Sequence, residues 1–163
     1  MTQRTISIVG HSGSGKTTLV EKLIRELVAQ GYRVATIKHA HHKVDLDTPG
    51  KDSFRYKDAG AAMSMLLTCD KLQLVADAKI EREPEQLARR YYADMDVVLA
   101  EGFSNAPGAK IEVLRRACST VARCTIEDDL IAMVTDVDEV YPQIPHFDLG
   151  DISGIVNFIL ERK

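Results

Sequence analysis

Eight consecutive residues near the start of the chain, Gly10-His11-Ser12-Gly13-Ser14-Gly15-Lys16-Thr17, have the spacing of a phosphate-binding P-loop. They follow a short apolar run and precede a helical pattern, which is the context that such a loop requires. Glycines let the backbone approach phosphate oxygens, Lys16 would reach the β- and γ-phosphates, and the Thr17 hydroxyl would ligate Mg²⁺. A glycine-rich turn without a ligand is the alternative. The residues expected to bind nucleotide here are Gly10, His11, Ser12, Gly13, Ser14, Gly15, Lys16, Thr17 and Thr18.

Apolar runs alternate with helical patterns around this loop. The runs expected to form buried parallel strands are Thr5–Val9, Val34–Ile37, Val97–Ala100 and Ile131–Val134. Helices are expected over residues 17–30 and 84–92 and after the capping residue Asp151. This alternation predicts one domain over residues 1–163 with a three-layer α/β fold of the P-loop NTPase kind, its mainly parallel sheet flanked by helices. Residues 63–68, 72–76 and 110–114 could add antiparallel strands at the sheet edges.

Composition limits the classes of function. Of the 163 residues 45% are hydrophobic, and the formal net charge is -3. That balance lacks the basic field that non-specific nucleic-acid binding needs, so no nucleic-acid partner is expected. The N-terminus has no apolar signal region, and no apolar run approaches the roughly 18 residues of a membrane span, so we expect a cytoplasmic protein. Cys69, Cys118 and Cys124 are expected to be reduced thiols.

A carboxylate at the end of a neighbouring strand usually completes a P-loop site. Glu101 ends the run Val97–Ala100, whereas Asp96 precedes it and would stand about 16 Å away, at roughly 3.3 Å per residue. We therefore expect Glu101 to hold Mg²⁺ together with Thr17, or to orient an attacking water as the catalytic residue. An acidic strand end at the surface is the alternative. No glutamine or arginine can be singled out as a partner in hydrolysis, which predicts slow hydrolysis of the nucleotide at most.

Basic and imidazole side chains follow the second predicted strand, on the rim where open parallel sheets bind ligands. Lys38, His39 and Lys51 are candidates to contact a phosphorylated ligand, with Lys43 and Arg55 beside them. A transition-metal site is a second interpretation, and a solvated charged loop is the third. The groups that would form the metal site are His39, His41 and His42 with Asp45 and Asp47. Asp52 or Ser53 is expected to cap a short helix that ends near Gly60.

Asp136 ends the run Ile131–Val134, where nucleotide-binding folds of this kind often read the base. Its carboxylate could accept hydrogen bonds from the N1–H and exocyclic amine of guanine, a pattern that adenine cannot supply. The alternative is an ordinary turn residue after a strand.

Several segments together resemble the molybdopterin-guanine dinucleotide biosynthesis protein B family. The similarity covers nearly the whole chain, and the combination is more specific than the P-loop alone. The segments are Gly10–Thr17, Ile37–His42, Pro49–Ser53, Ala59–Ala61, Glu101–Phe103 and Lys110–Arg115. Where such proteins often have a basic residue shortly after the E-G-F triplet, this chain has Ser104-Asn105.

The resemblance implies a homodimeric GTP-binding accessory protein with weak Mg²⁺-dependent GTPase activity. Such a protein assists a nucleotidyltransferase partner that attaches GMP to molybdopterin, and molybdopterin itself is a further candidate ligand. By position, Lys16, Thr17 and Glu101 would take the nucleotide and magnesium roles, and segments 38–42 and 50–53 the family's signature rim.

Two other classes of protein remain open at this stage. The histidines favour a nickel-insertion GTPase, although Cys118 and Cys124 have no obvious third ligand near them in the sequence. A small-molecule kinase that uses ATP would normally carry an Asp base and an Arg-rich lid, which no compact segment here resembles.

Overall fold

The computed structural model describes residues 3–40, 44–77, 83–138 and 140–162. The chain forms two compact units, a larger one of Met1–His39 with Arg82–Lys163 and a smaller one of Ala40–Glu81. The strands are β1 (Arg4–Val9), β2 (Val34–Lys38), β3 (Met63–Leu67), β4 (Leu72–Ala76), β5 (Val97–Glu101), β6 (Lys110–Leu114), β7 (Leu130–Thr135) and β8 (His146–Phe147). The helices are α1 (Lys16–Ala29), α2 (Asp52–Asp58), α3 (Pro84–Tyr91) and α4 (Ile152–Glu161).

The larger unit contains a six-stranded sheet in the order β2-β5-β1-β6-β7-β8, and every neighbouring pair is parallel. Side chains on alternate positions of the strands pack against α1 and α4, whose Leu23, Leu27, Ile155 and Ile159 are fully buried. Ala88 of α3 packs with Val98 in a separate cluster. The predicted parallel α/β sheet flanked by helices is confirmed. Asp151 caps α4 as predicted, because its carboxylate accepts the N–H of Gly154 at 3.0 Å.

The expectation that residues 110–114 add an antiparallel edge strand was wrong. β6 is a central parallel strand between β1 and β7, and all five of its residues are buried. The two charged side chains of β6 have hydrogen-bond partners inside the protein. Lys110 Nζ donates to the carbonyls of Gly108 (3.3 Å) and Asp128 (2.5 Å). Glu112 accepts two backbone N–H groups, so neither charge needs solvent.

The smaller unit combines α2 with an antiparallel hairpin. β3 and β4 pair with each other from Met63↔Ala76 to Leu67↔Leu72, and form a two-stranded sheet of their own. The prediction that Asp52 or Ser53 caps α2 was wrong. Lys51, in extended conformation, occupies that position without a side-chain cap, and the Ser53 hydroxyl donates instead to Asp47 Oδ1 at 3.1 Å.

The longest helix in the described ranges is α1, with 14 residues, and none of those helices is long and apolar enough to cross a bilayer.

Candidate functional site

The predicted P-loop connects β1 to α1 in a backbone conformation that only glycine adopts easily. Gly10 has φ +137°, and a Cβ built on it would lie 2.4 Å from the carbonyl oxygen of Val113 in β6. Gly15 has φ +97° and forms the N-cap of α1. Because neither position tolerates a side chain without strain, the loop wraps tightly and its last turn presents the N-terminal amides of α1.

Lys16 lies folded over this loop. Its Nζ donates to the carbonyls of Gly10 (3.1 Å) and His11 (2.7 Å). Burial lowers the pKa of this amine, and the positive charges of Arg123 and Lys38 lower it further, while Glu101 opposes them. An anion bound in the loop would offset the desolvation cost of the half-buried Lys16 ammonium group.

Thr17 and Glu101 are brought together by the pairing of β1 with β5. The Thr17 hydroxyl lies 3.0 Å from both carboxylate oxygens of Glu101, and Lys38 Nζ lies 3.2 Å from Glu101 Oε1. Asp96 stands at the opposite end of β5, where its carboxylate accepts the N–H of Arg33 at 2.8 Å. Hydroxyl and carboxylate oxygens are the ligands that Mg²⁺ prefers, so this donor set fits the ion.

His39, the residue after β2, contacts both Glu101 at the end of β5 and Phe103 in the turn that follows. The His39 N–H donates to the carbonyl of Glu101 at 3.0 Å, and its ring lies 5.1 Å from the ring of Phe103, centroid to centroid. Phe103 is buried with φ +63°, a left-handed conformation that non-glycine residues rarely adopt. Lys38 and His39 therefore form one side of the site through both side-chain and backbone contacts.

The other expected rim residues do not belong to the larger unit. Lys51 belongs to the smaller unit, where it is exposed at the N-cap of α2, and Arg55 in the same helix pairs with Asp52 at 3.6 Å. His41, His42 and Lys43 lie outside the described residues. Within the described ranges no three His, Cys, Asp or Glu side chains are grouped to hold a metal ion.

A cavity of about 230 Å³ opens beside the N-terminal turns of α1. Ser14 Oγ and Arg115 Nε, both buried, have no hydrogen-bond acceptor or donor partner among the described residues. The cavity is lined by Ser14, Gly15, Thr18, Leu19, Lys22, Val113, Arg115, Val134 and Leu149. Its wall therefore combines apolar strand residues with polar groups at the P-loop, which is the usual composition of a small-molecule site.

Asp136 follows β7 directly and is exposed. Its Oδ1 accepts the N–H of Arg116 at 2.7 Å, and the Arg116 guanidinium pairs with Asp138 at 3.2 Å. Asp136 thus lies in the turn after β7 and holds the backbone of Arg116 through one carboxylate oxygen.

Residues 115–124 lie against the P-loop, although none of them was predicted to belong to the nucleotide site. His11 Nε2 lies 2.9 Å from the carbonyl oxygen of Val121, and Arg123 Nε donates to Ser104 Oγ at 3.0 Å. The buried carboxylate of Glu112 holds this segment by accepting the N–H groups of Arg123 (2.6 Å) and Cys124 (2.9 Å).

Glu112 is the one sequence feature that could have predicted that residues 115–124 cover this end of β6. Burial raises its pKa, while the two backbone hydrogen bonds act in the opposite direction. A glutamate within an otherwise apolar central strand needs partners, and those partners identify the loop that passes over it.

Comparisons with known proteins agree on one family. The family model for molybdopterin guanine dinucleotide synthesis protein B matches residues 5–136. The molybdopterin-guanine dinucleotide biosynthesis adapter protein of Escherichia coli is 33% identical over 160 residues, covering 96% of this chain and 91% of the relative. The protein of that name from Haemophilus influenzae is 37% identical over 158 residues, covering 94% of this chain and 86% of the relative.

Solved structures show the same relationship in three dimensions. The crystal structure of Bacillus subtilis MobB superposes with a TM-score of 0.71 at 27% identity and covers 96% of each chain. The family model covers most of the chain, and the two curated relatives extend the match across nearly all of it. The chain therefore belongs to the molybdopterin guanine dinucleotide synthesis protein B family.

Proposed function

We propose that this protein binds GTP with Mg²⁺ and acts as an adapter in the formation of molybdopterin guanine dinucleotide. The observation that carries the proposal is the contact between the Thr17 hydroxyl and Glu101 beside the P-loop lysine. A phosphate cradle and a hard-oxygen pair at the same strand ends are what a magnesium–triphosphate complex requires. When bound, Mg²⁺ would neutralise phosphate charge, held by Thr17 directly and by Glu101 directly or through water.

We infer the orientation of the bound nucleotide from the order of the strands in the sheet. Glu101 of β5 and Lys38 of β2 lie on one side of β1, whereas the cavity is lined from β6, β7 and the residues after β8, on the other side. We infer that the γ-phosphate end points towards Glu101 and the nucleoside end towards the cavity. Thr18, in the cavity wall, would then lie between the phosphates and the nucleoside.

Guanine selectivity is assigned to Asp136. It stands at the carboxyl end of β7, the strand that also supplies Val134 to the cavity wall. Only one of its carboxylate oxygens accepts the Arg116 N–H, and a carboxylate can accept further bonds from the guanine edge.

Hydrolysis is proposed to be slow. Both oxygens of Glu101 contact the Thr17 hydroxyl, and one also pairs with Lys38, so this carboxylate is committed to holding the site. We infer that a carboxylate engaged in this way positions the site rather than taking a proton from water. The protein is therefore proposed to hold GTP for the nucleotidyltransferase of the pathway rather than to turn it over.

A homodimer formed through the hairpin is also proposed. Met65, Leu67 and Leu72 are about half or more exposed in the single chain, and a two-stranded sheet alone is marginally stable in water. A second copy of this chain would cover these apolar side chains and pair an open strand edge.

Calorimetric titration with GTP and ATP at fixed Mg²⁺ tests the proposed function. GTP should bind more tightly than ATP, and its affinity should fall when Mg²⁺ is chelated. ATP binding as tight as GTP binding would contradict the guanine assignment, and no binding of either would contradict the P-loop role. A second titration, of the transferase into GTP-loaded protein, tests the adapter role.

A further inference from the structure

Arg115 lines the cavity, and hydrogen bonds restrain the backbone around it. It follows β6 directly, and its carbonyl accepts the N–H groups of Cys118 (2.8 Å) and Ser119 (2.9 Å) in a tight turn. The N–H of the next residue, Arg116, is bonded to Asp136. The backbone at Arg115 is therefore restrained on both sides, and its side chain starts from a defined position.

The Arg115 side chain lies along the P-loop. A Cβ built on Gly15 would be 3.9 Å from both Cδ and Nη1 of Arg115, which is ordinary van der Waals contact. The guanidinium group thus passes beside the N-cap of α1, where the positive end of the helix dipole also lies. Two sources of positive charge adjoin each other at this point, an arrangement that is unfavourable unless an anion is bound between them.

The polar groups of the cavity favour an anionic ligand. Arg115 Nε is buried without an acceptor among the described residues, and so is the Ser14 hydroxyl, whose residue is only 1% exposed. Lys22 adds a second cation to the wall, and no acidic side chain is among the described residues that line it. A buried charged donor without a partner is costly, so this cavity is suited to a ligand that carries negative charge.

We propose that Arg115, assisted by the Ser14 hydroxyl, binds the phosphate nearest the nucleoside of the bound nucleotide. The inference rests on the proposed nucleotide binding and adds a contact to it. Lys16 and Thr17 serve the far phosphates on the Glu101 side, whereas Arg115 reaches the loop from the β6 side, next to the cavity that would take the nucleoside. The planar guanidinium can donate two parallel hydrogen bonds to one phosphate.

Titration of Arg115→Met with GTP and with GDP, followed calorimetrically at fixed Mg²⁺, tests this inference. Both nucleotides should bind about 10-fold to 100-fold more weakly than to the wild type, and by the same factor, because both carry the phosphate in question. Guanosine should show no difference between the two proteins. Arg25→Met, which removes an exposed arginine of α1 paired with Glu21, is the matched control and should bind as the wild type does.

Two results would overturn the inference. Unchanged GTP and GDP affinities would remove Arg115 from the site, and a loss confined to GTP would place it at the γ-phosphate. If circular dichroism shows that Arg115→Met does not fold, Arg115→Lys provides a second variant. It keeps the positive charge but lacks the two parallel N–H donors of the guanidinium group. It should weaken both nucleotides equally but less. Failure of the wild type to bind GTP would instead contradict the proposed function itself.

Discussion

The Thr17 hydroxyl lies 3.0 Å from both carboxylate oxygens of Glu101, although 84 positions separate the two residues in the chain. The contact follows from strand pairing, because β1 and β5 are parallel neighbours in which Ile8 is opposite Glu101. A residue at the end of β5 therefore faces the first turn of the helix that follows β1.

Glu101→Gln should weaken the magnesium dependence of GTP binding. The amide can still accept the Thr17 hydroxyl but contributes no charge to the ion, so the loss should be about 1.5 to 3 kcal/mol of binding free energy at limiting Mg²⁺. The measurement is GTP affinity across a Mg²⁺ titration. Asp96→Asn, at the opposite end of β5, is the matched control and should leave the titration unchanged.

Lys16→Ala should bind GTP roughly 100-fold or more weakly, because charge-assisted bonds to phosphate are lost. The fold should persist, since among the described residues Lys16 Nζ donates to two loop carbonyls only, and its side chain is not part of the core. Calorimetry gives the affinity, and Lys71→Ala in the hairpin turn of the smaller unit is the control. Retained affinity in Lys16→Ala would mean that the nucleotide binds elsewhere.

Gly10→Ala should destabilise the protein more than Gly31→Ala does. Both glycines have positive φ, which costs an alanine about 1 to 2 kcal/mol. Only at Gly10 would the new methyl group also collide with the carbonyl of Val113, whereas nothing lies within 4 Å at Gly31. Urea unfolding of the two variants measures the difference. Equal free energies of unfolding would show that β6 can yield to the added methyl group.

Bound GTP should protect Cys118 from alkylation while leaving Cys69 unaffected. Cys118 Sγ lies 3.9 Å from the place of a Cβ on Gly13, whereas Cys69 is exposed in the smaller unit. Cys124 should remain unlabelled in either state, because burial raises its thiol pKa to about 11. Mass spectrometry after timed iodoacetamide treatment gives the three rates. Equal slowing of Cys69 and Cys118 would point to a general effect on the protein rather than to a ligand in the loop.

Leu67→Lys should shift the protein from dimer to monomer in sedimentation experiments. Leu67 is 72% exposed in the single chain, and a charge there would be buried by any partner that covers the hairpin. Val28→Lys changes an exposed apolar residue of α1 in the larger unit and should not alter the oligomeric state. A Leu67→Lys protein that remains dimeric would exclude the hairpin as the interface.

Much of this site could be predicted because it depends on local signals and on one rule of topology. The spacing of Gly10–Thr17 is contiguous in sequence, and the carboxyl ends of parallel strands meet at one edge, so Glu101 could be placed and Asp96 set aside. The bounds of β1, β2 and β5 differ from the predicted runs by one residue at one end, and those of β7 by one residue at each end, since strand ends carry weak sequence signals.

The position of β6 and of the residues that follow it depends on long-range contacts, which a local sequence pattern does not predict. Lys110 and Glu112 interrupt the apolar run of β6, and only the tertiary structure supplies the carbonyl and N–H partners that let this strand lie at the centre of the sheet. The positions of Arg115 and Arg123 depend in turn on the path of the loop that Glu112 holds. A charge inside a predicted strand is thus better taken as a sign of a long-range partner than as a sign of exposure.

Glu101 contacts the end of β2 through both its side chain and its backbone. Lys38 contacts the Glu101 carboxylate and His39 donates to the Glu101 carbonyl, and these are the last two residues of the larger unit before the chain enters the smaller one. A cation that drew on the negative charge of Glu101 would compete with Lys38 for it. Occupation of the site by a cation would therefore change the ion pair that holds Lys38, at the end of the edge strand β2.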